Sequence, residues 1–165
     1  MHSLGEYKRF KFPYVNMRRY NVYTNAKIPS GGNNAENRVH LLSDKDGSFQ
    51  CVGISRIIDT LNSEDLAKKI VDSMLVFSSD SREECENFIS WLNCKFTRFF
   101  VAINISKLTG ILTDDYFRFV PAPPLNPDTN TYDWSHPYTD EFLYDYYKVS
   151  PEYQSIINSV IRERK

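Results

Sequence analysis

SREECENFISWLNCKFTRFFVAINIS, residues 81–106, begins with Ser81 three positions ahead of Glu84. That spacing is a capping box: a serine hydroxyl accepts from the third helical amide while the acid reaches back to the serine N–H. Cys85, Phe88, Leu92, Phe96, Phe99 and Ile103 then recur every three or four residues, with Ile89, Trp91, Phe100 and Val101 widening the stripe. An apolar stripe at this period is one face of a helix. The spacing predicts helix over 82–107, either one kinked helix or two in succession. So aromatic a stripe reads as core packing rather than as a cofactor box.

Before this segment the period changes. SMLVFSS (73–79) is a compact strand candidate, and RRYNVYT (18–24) and YKRFKFPYV (7–15) read as strands. In the last of these Phe10, Phe12 and Tyr14 alternate with Arg9, Lys11 and Pro13, giving one basic edge. RVHLL and SFQCVGI are short strand candidates joined by the turn sequence SDKDG, whereas ISRIIDTL fits strand or helix and SEDLAKKIVDSM has helical composition. Residues 25–38, NAKIPSGGNNAENR, are too poor in large apolar groups to bury and read as an exposed loop.

After the central segment, DYFRFVP (115–121) reads as a strand stopped by Pro121, and 121–138 as a Pro/Asn/Asp-rich connector. Thr139-Asp140-Glu141 opens a short helix carrying Phe142, Leu143, Tyr146 and Tyr147. Ser150-Pro151-Glu152 opens the last, with Ile156, Ile157, Val160 and Ile161 on one side and Arg162, Arg164 and Lys165 at its end. The class is α+β: N-terminal antiparallel strands packed on the long helical segment, then a C-terminal strand and two short helices. Residues 1–71 form a basic, strand-rich part and 72–165 a helical scaffold, together one compact domain. A length of 165 residues suits that size.

The net charge of −1 conceals an asymmetry. Residues 1–40 hold seven bases against two acids, while 41–100 and 101–165 each carry a net −3. A basic segment on an acidic body can bind phosphates, and a solvated positive face gives the same count. No apolar run is long enough to span a membrane, and no charged–apolar–small leader opens the chain. Three cysteines (Cys51, Cys85, Cys94) leave one unpaired in any disulfide scheme, so a reducing, cytoplasmic setting is expected.

Catalytic patterns are missing. Gly31-Gly32 is followed by Asn33-Asn34 rather than by a helix with Lys-Ser/Thr, so there is no phosphate-cradling loop. Hydrolase elbows and clustered Cys/His metal spacings are absent, and no metal is assigned. Glu6-Tyr7-Lys8 and Glu163-Arg164-Lys165 have nuclease-like spacing but lie near the two ends, without structure to hold a metal rigidly. Methylation of adenine wants Asn/Asp-Pro-Pro-Tyr to hold a flipped base; Ala122-Pro123-Pro124-Leu125 lacks both ends. What survives is binding. Lys8, Arg9, Lys11, Arg18, Arg19, Lys27, Asn33, Asn34, Arg38 and Arg118 are candidate DNA contacts, being bases and amides that can meet phosphates and base edges. Lys95 and Arg98, beside the aromatic stripe, fit contact with the DNA backbone or, the favoured reading, snorkelling over the core or pairing with Glu84 or Glu86.

Three blocks taken in order carry a resemblance: LVFSSDSREECENFISWL, then Lys95-Phe96-Thr97-Arg98-Phe99, then Phe117–Pro121 followed by Thr139-Asp140-Glu141-Phe142-Leu143-Tyr144. Over about residues 72–165 the chain resembles the C-terminal target-recognition region of adenine-specific DNA methyltransferases of bacterial restriction–modification systems. These include type II enzymes that fuse methylation with cleavage. The resemblance implies reading of double-stranded DNA by a non-catalytic domain or split subunit. Methyl transfer and S-adenosylmethionine would then belong to a separate catalytic domain, with no cofactor on this chain. The alternative expectation is a protein–protein docking module of a restriction–modification complex, presenting Tyr144, Tyr146 and Tyr147. A stand-alone nuclease is the third.

Overall fold

The computed structural model describes residues 9–11, 18–24, 55–59, 75–104 and 117–161. Within them the order is β1 (Tyr20–Thr24), β2 (Ser55–Asp59), β3 (Leu75–Ser79), α1 (Arg82–Asn93), α2 (Lys95–Asn104), β4 (Leu125–Asn126), β5 (Thr131–Tyr132), α3 (Asp140–Tyr146) and α4 (Pro151–Val160). The class is α+β, as the change of period anticipates. β1 is the centre of an antiparallel sheet ordered β2-β1-β3, with Val22 opposite both Ile57 and Phe77. ISRIIDTL, ambiguous in sequence, supplies β2. The sheet is stitched across residue 71, since β1 and β2 come from the basic part and β3 from the other. RVHLL, SFQCVGI, SEDLAKKIVDSM and the loop at 25–38 lie outside the described residues.

Ser81 caps α1 by accepting from the Glu84 N–H at 3.4 Å. The return half of the box is rerouted: Glu84 accepts from the Ser79 hydroxyl, which itself accepts from the Ser81 N–H at 3.0 Å. One side chain thus ties the end of β3 to the start of α1. The helical segment is two helices, broken at Cys94, whose ψ of 138° is extended rather than helical. Asp140 seals the break by accepting from the Phe96 N–H at 2.9 Å, so the first residue of α3 caps α2.

The break shifts the phase of the stripe, and this corrects the sequence reading. Cys85, Phe88, Leu92, Phe96 and Val101 are buried, but Ile103 is 58% exposed and Phe99 half-buried. In their place Thr97 and Arg98 turn inward. Arg98 is 2% exposed, and its Nε donates to the Asn93 carbonyl at 3.1 Å. Burial removes it from any DNA backbone, while Lys95 is half-buried.

DYFRFVP is not a strand where described. Val120 N–H donates to the Phe117 carbonyl at 3.1 Å, closing a tight turn. Turn geometry buries Phe117 and Val120 and pushes Arg118 and Phe119 outward, so an apparent period of two is really three. The connector 121–138 is likewise no mere connector. It folds as the β4–β5 hairpin, with Asn130 at φ 53°, a conformation asparagine tolerates. It then inserts Trp134 and Tyr138 into the core. The core is a ring cluster in which Phe77 stacks on Phe88 at 4.3 Å and Phe10 meets Trp91 at 4.6 Å.

Thr139 and Ser150 cap α3 and α4 as their spacing requires, with Pro151 in the first turn of α4. α3 ends in a Schellman closure: Val149 N–H reaches the Tyr144 carbonyl and Lys148 N–H the Asp145 carbonyl, with Lys148 at φ 53°. On α4, Ile157 and Ile161 are buried and Val160 is partly so, but Ile156 is 42% exposed, a correction to the one-sided reading. Among the described residues no helix is long and apolar enough to cross a membrane.

Candidate nucleic-acid interface

Arg9 and Arg118 are far apart in sequence and adjacent in space. Residues 9–11 run as an extended segment beside the 117–121 turn, with Arg9 bridging Pro121 and Phe10 N–H donating to the Val120 carbonyl at 2.9 Å. Phe10, 2% exposed, anchors the segment in the core. Tyr132 secures its other side: its hydroxyl accepts from the Lys11 N–H at 3.2 Å and donates to the Arg9 carbonyl at 3.3 Å. With the intervening side chain turned inward, Arg9 and Lys11 are left exposed, as the strand alternation requires.

The Arg9 guanidinium lies 5.1 Å from the centroid of the Phe119 ring, and that of Arg118 5.4 Å from the same ring. Two cations on one ring repel each other, and the ring quadrupole offsets part of that repulsion. None of Arg9, Lys11 and Arg118 makes an ion pair with a carboxylate among the described residues. The result is a pair of arginines around an exposed aromatic ring, with Lys11 exposed two residues along from Arg9.

Arg18 and Arg19 are exposed at the entrance to β1. Arg19 is already engaged: its Nε is 3.8 Å from Asp59 Oδ2, its guanidinium is 5.1 Å from the Tyr20 ring, and its N–H donates to Asp80. Of the candidate contacts, then, Arg9 and Arg118 come together, Lys11 is exposed on the same segment as Arg9, and Arg18 and Arg19 stand at the β1 entrance. Lys8, Lys27, Asn33, Asn34 and Arg38 lie outside the described residues. Phe119 was missed as a site residue because Phe-Arg-Phe suggested that both rings share the buried side.

The docking reading is corrected in part. Tyr144 and Tyr147 are buried at 8% and 7% exposure and cannot present rings to a partner; Tyr146 can, stacked on exposed Phe142 at 6.2 Å. The cause is helical phase, which places Leu143, Tyr144 and Tyr147 on one face of α3 and Phe142 and Tyr146 on the other.

Asp133, Ser135 and His136 look like a hydrolytic set but form a turn. The Ser135 hydroxyl and N–H both donate to Asp133 Oδ1, at 2.6 and 3.0 Å, and His136 Nε2 faces Asp133 Oδ2 at 3.6 Å. No bond joins serine to histidine, so the serine has no base. Among the described residues no group of three or more His, Cys, Asp or Glu is placed to hold a metal.

Nor is there a reactive thiol among the described residues. Burial, then the nearby Glu84 carboxylate, pushes the Cys85 thiol up from its ordinary 9.0 to about 12. Burial, then Asp140, pushes Cys94 higher still. In a Cys51→Ser variant both thiols should resist alkylation at about pH 8 until denaturant is added, because the thiolate is the nucleophile. Each folded-state value lies above the unfolded one. The neutral thiols therefore favour the folded state fully below pH 9, and that advantage drains away as pH rises from there toward about 12. Denaturation midpoints that fall with pH over that window would show it; rapid native-state alkylation would contradict it.

No protein-family model matches the chain, and no curated protein and no solved structure matches it.

Proposed function

We propose that the chain is a non-catalytic DNA target-recognition domain of the kind that serves adenine-specific methyltransferases of restriction–modification systems. It binds double-stranded DNA in the cytoplasm through basic and amide side chains. Methyl transfer, with S-adenosylmethionine, belongs to a separate catalytic domain that is this chain's partner. The observation that carries the reading is the convergence of Arg9 and Arg118 on the Phe119 ring, with Lys11 exposed on the same segment as Arg9.

Phosphates are the groups such a cluster suits. Each guanidinium lies near the ring and carries several N–H donors that suit a phosphate. The cluster sets position on the backbone, and amide and arginine side chains at base edges supply sequence information.

The test is the salt dependence of binding to a duplex, followed by fluorescence anisotropy. Each phosphate contact contributes about 0.9 to the slope of log K against log salt. Arg9→Ala, Lys11→Ala and Arg118→Ala should each weaken binding and flatten the slope by roughly that amount. All three side chains are exposed, so the fold should be unaffected. A wild-type slope in all three variants would remove this surface from the DNA interface.

A further inference from the structure

Phe119 is a large apolar ring left 45% exposed at the apex of a four-residue turn. The residues on either side of the apex are fixed. Phe117 and Val120 are 1% and 0% exposed, Val120 N–H closes the turn onto the Phe117 carbonyl, and the Val120 carbonyl accepts from Phe10 N–H. The ring therefore stands on a buried, hydrogen-bonded base. It is bordered by two cations, one from its own turn and one from the neighbouring extended segment.

We propose that Phe119 is a wedge that enters the minor groove and partly unstacks one base step, kinking the duplex toward the major groove. The inference rests on the duplex-binding reading above and adds to it what the ring does. Three physical requirements of a wedge meet here. It must be apolar and bulky enough to fill an opened base step, and a phenyl ring is. It must be rigidly mounted, or the force needed to open the step is lost in the protein's own rearrangement. It must also carry cations at its borders to hold the two backbones that flank the opened minor groove, a role open to Arg9 and Arg118 once they swing off the ring. In the free protein these two side chains cover part of the ring; in the complex the bases take over that contact. Steps of the pyrimidine–purine type, which open most easily, are the expected position of the kink.

The experiment places donor and acceptor dyes on the two ends of a duplex of about 25 base pairs with a central TA step. Binding and end-to-end distance are read in the same titration. The wild-type chain should shorten the distance by an amount corresponding to a kink of roughly 20–90°. At protein concentrations that saturate the duplex in that titration, Phe119→Ala should leave it straight, and Phe119→Leu, which keeps an apolar wedge, should restore the bend. An Arg9→Ala/Arg118→Ala variant should lose affinity itself.

Wild-type binding with no change of distance would overturn the wedge and leave the DNA-binding reading standing. So would a Phe119→Ala chain that bends like wild type. Tighter binding to the single strand than to the duplex, lost in Phe119→Ala, would make the ring a stacking platform and also overturn the wedge. Absence of binding to either form would overturn both readings.

Discussion

Trp134→Ala is expected to cost about 3–5 kcal/mol of folding stability, the range for truncating a large buried aromatic. Trp134 sits in a segment whose Pro, Asn and Asp content suggests a solvated loop, yet it is 8% exposed and central to the ring cluster. Its ring meets Phe88 at 5.1 Å, Phe77 at 5.4 Å, Trp91 at 5.8 Å and Tyr138 at 6.0 Å, each edge-on, the arrangement favoured by the ring quadrupoles. Its carbonyl accepts from Asn87 Nδ2 on α1 at 2.8 Å, so the backbone there is held as well as the side chain. A domain with a total stability of roughly 5–15 kcal/mol would lose much of it. Urea denaturation measures the loss, with Thr131→Ala, on the exposed hairpin strand, expected to lie within about 0.5 kcal/mol of wild type. A loss under about 1 kcal/mol for Trp134→Ala would mean that the 121–138 segment does not close the core.

Tyr147→Ala should be nearly as damaging, at about 3 kcal/mol, whereas Tyr146→Ala should cost less than about 1 kcal/mol. The two are adjacent in sequence and opposite in environment. Tyr147 lies face to face with Phe96 at 5.3 Å and 13°, joining α3 to α2. Tyr146 is 49% exposed and touches the outside of Phe142. Thermal or chemical denaturation of the two variants separates them. Equal and small effects would return Tyr147 to the surface and restore the full aromatic face to the docking alternative.

Local chemistry was legible where one residue type does one job. Ser81, Thr139 and Ser150 each cap the helix that their spacing announced, and LVFSS forms its strand. Phase was not legible across Cys94, because the extended backbone there rotates every later residue of the stripe. That rotation is why Arg98 is inside and Ile103 outside. The Phe117–Val120 turn was hidden because alternating aromatics look the same in a strand and in a turn that buries every third residue. Trp134 had a usable signal: a tryptophan stranded in a polar segment is more often covered than exposed. For the interface, the sequence supplied the residue types Arg9, Lys11 and Arg118 but not the meeting of Arg9 with Arg118, since pairing residue 9 with residue 121 is a tertiary event. The ion pair between Arg19 and Asp59 depends equally on the β1–β2 pairing, which local pattern does not specify.

DNA target recognition is tested most directly by incubating the purified chain with a randomised duplex pool at roughly 0.15 M salt, where nonspecific phosphate binding is weak, and sequencing what is retained. The expected result is enrichment of one short motif by the wild-type chain, and loss of retention by the Arg9→Ala/Arg118→Ala variant. Absence of retention at this salt and at low salt alike would contradict it.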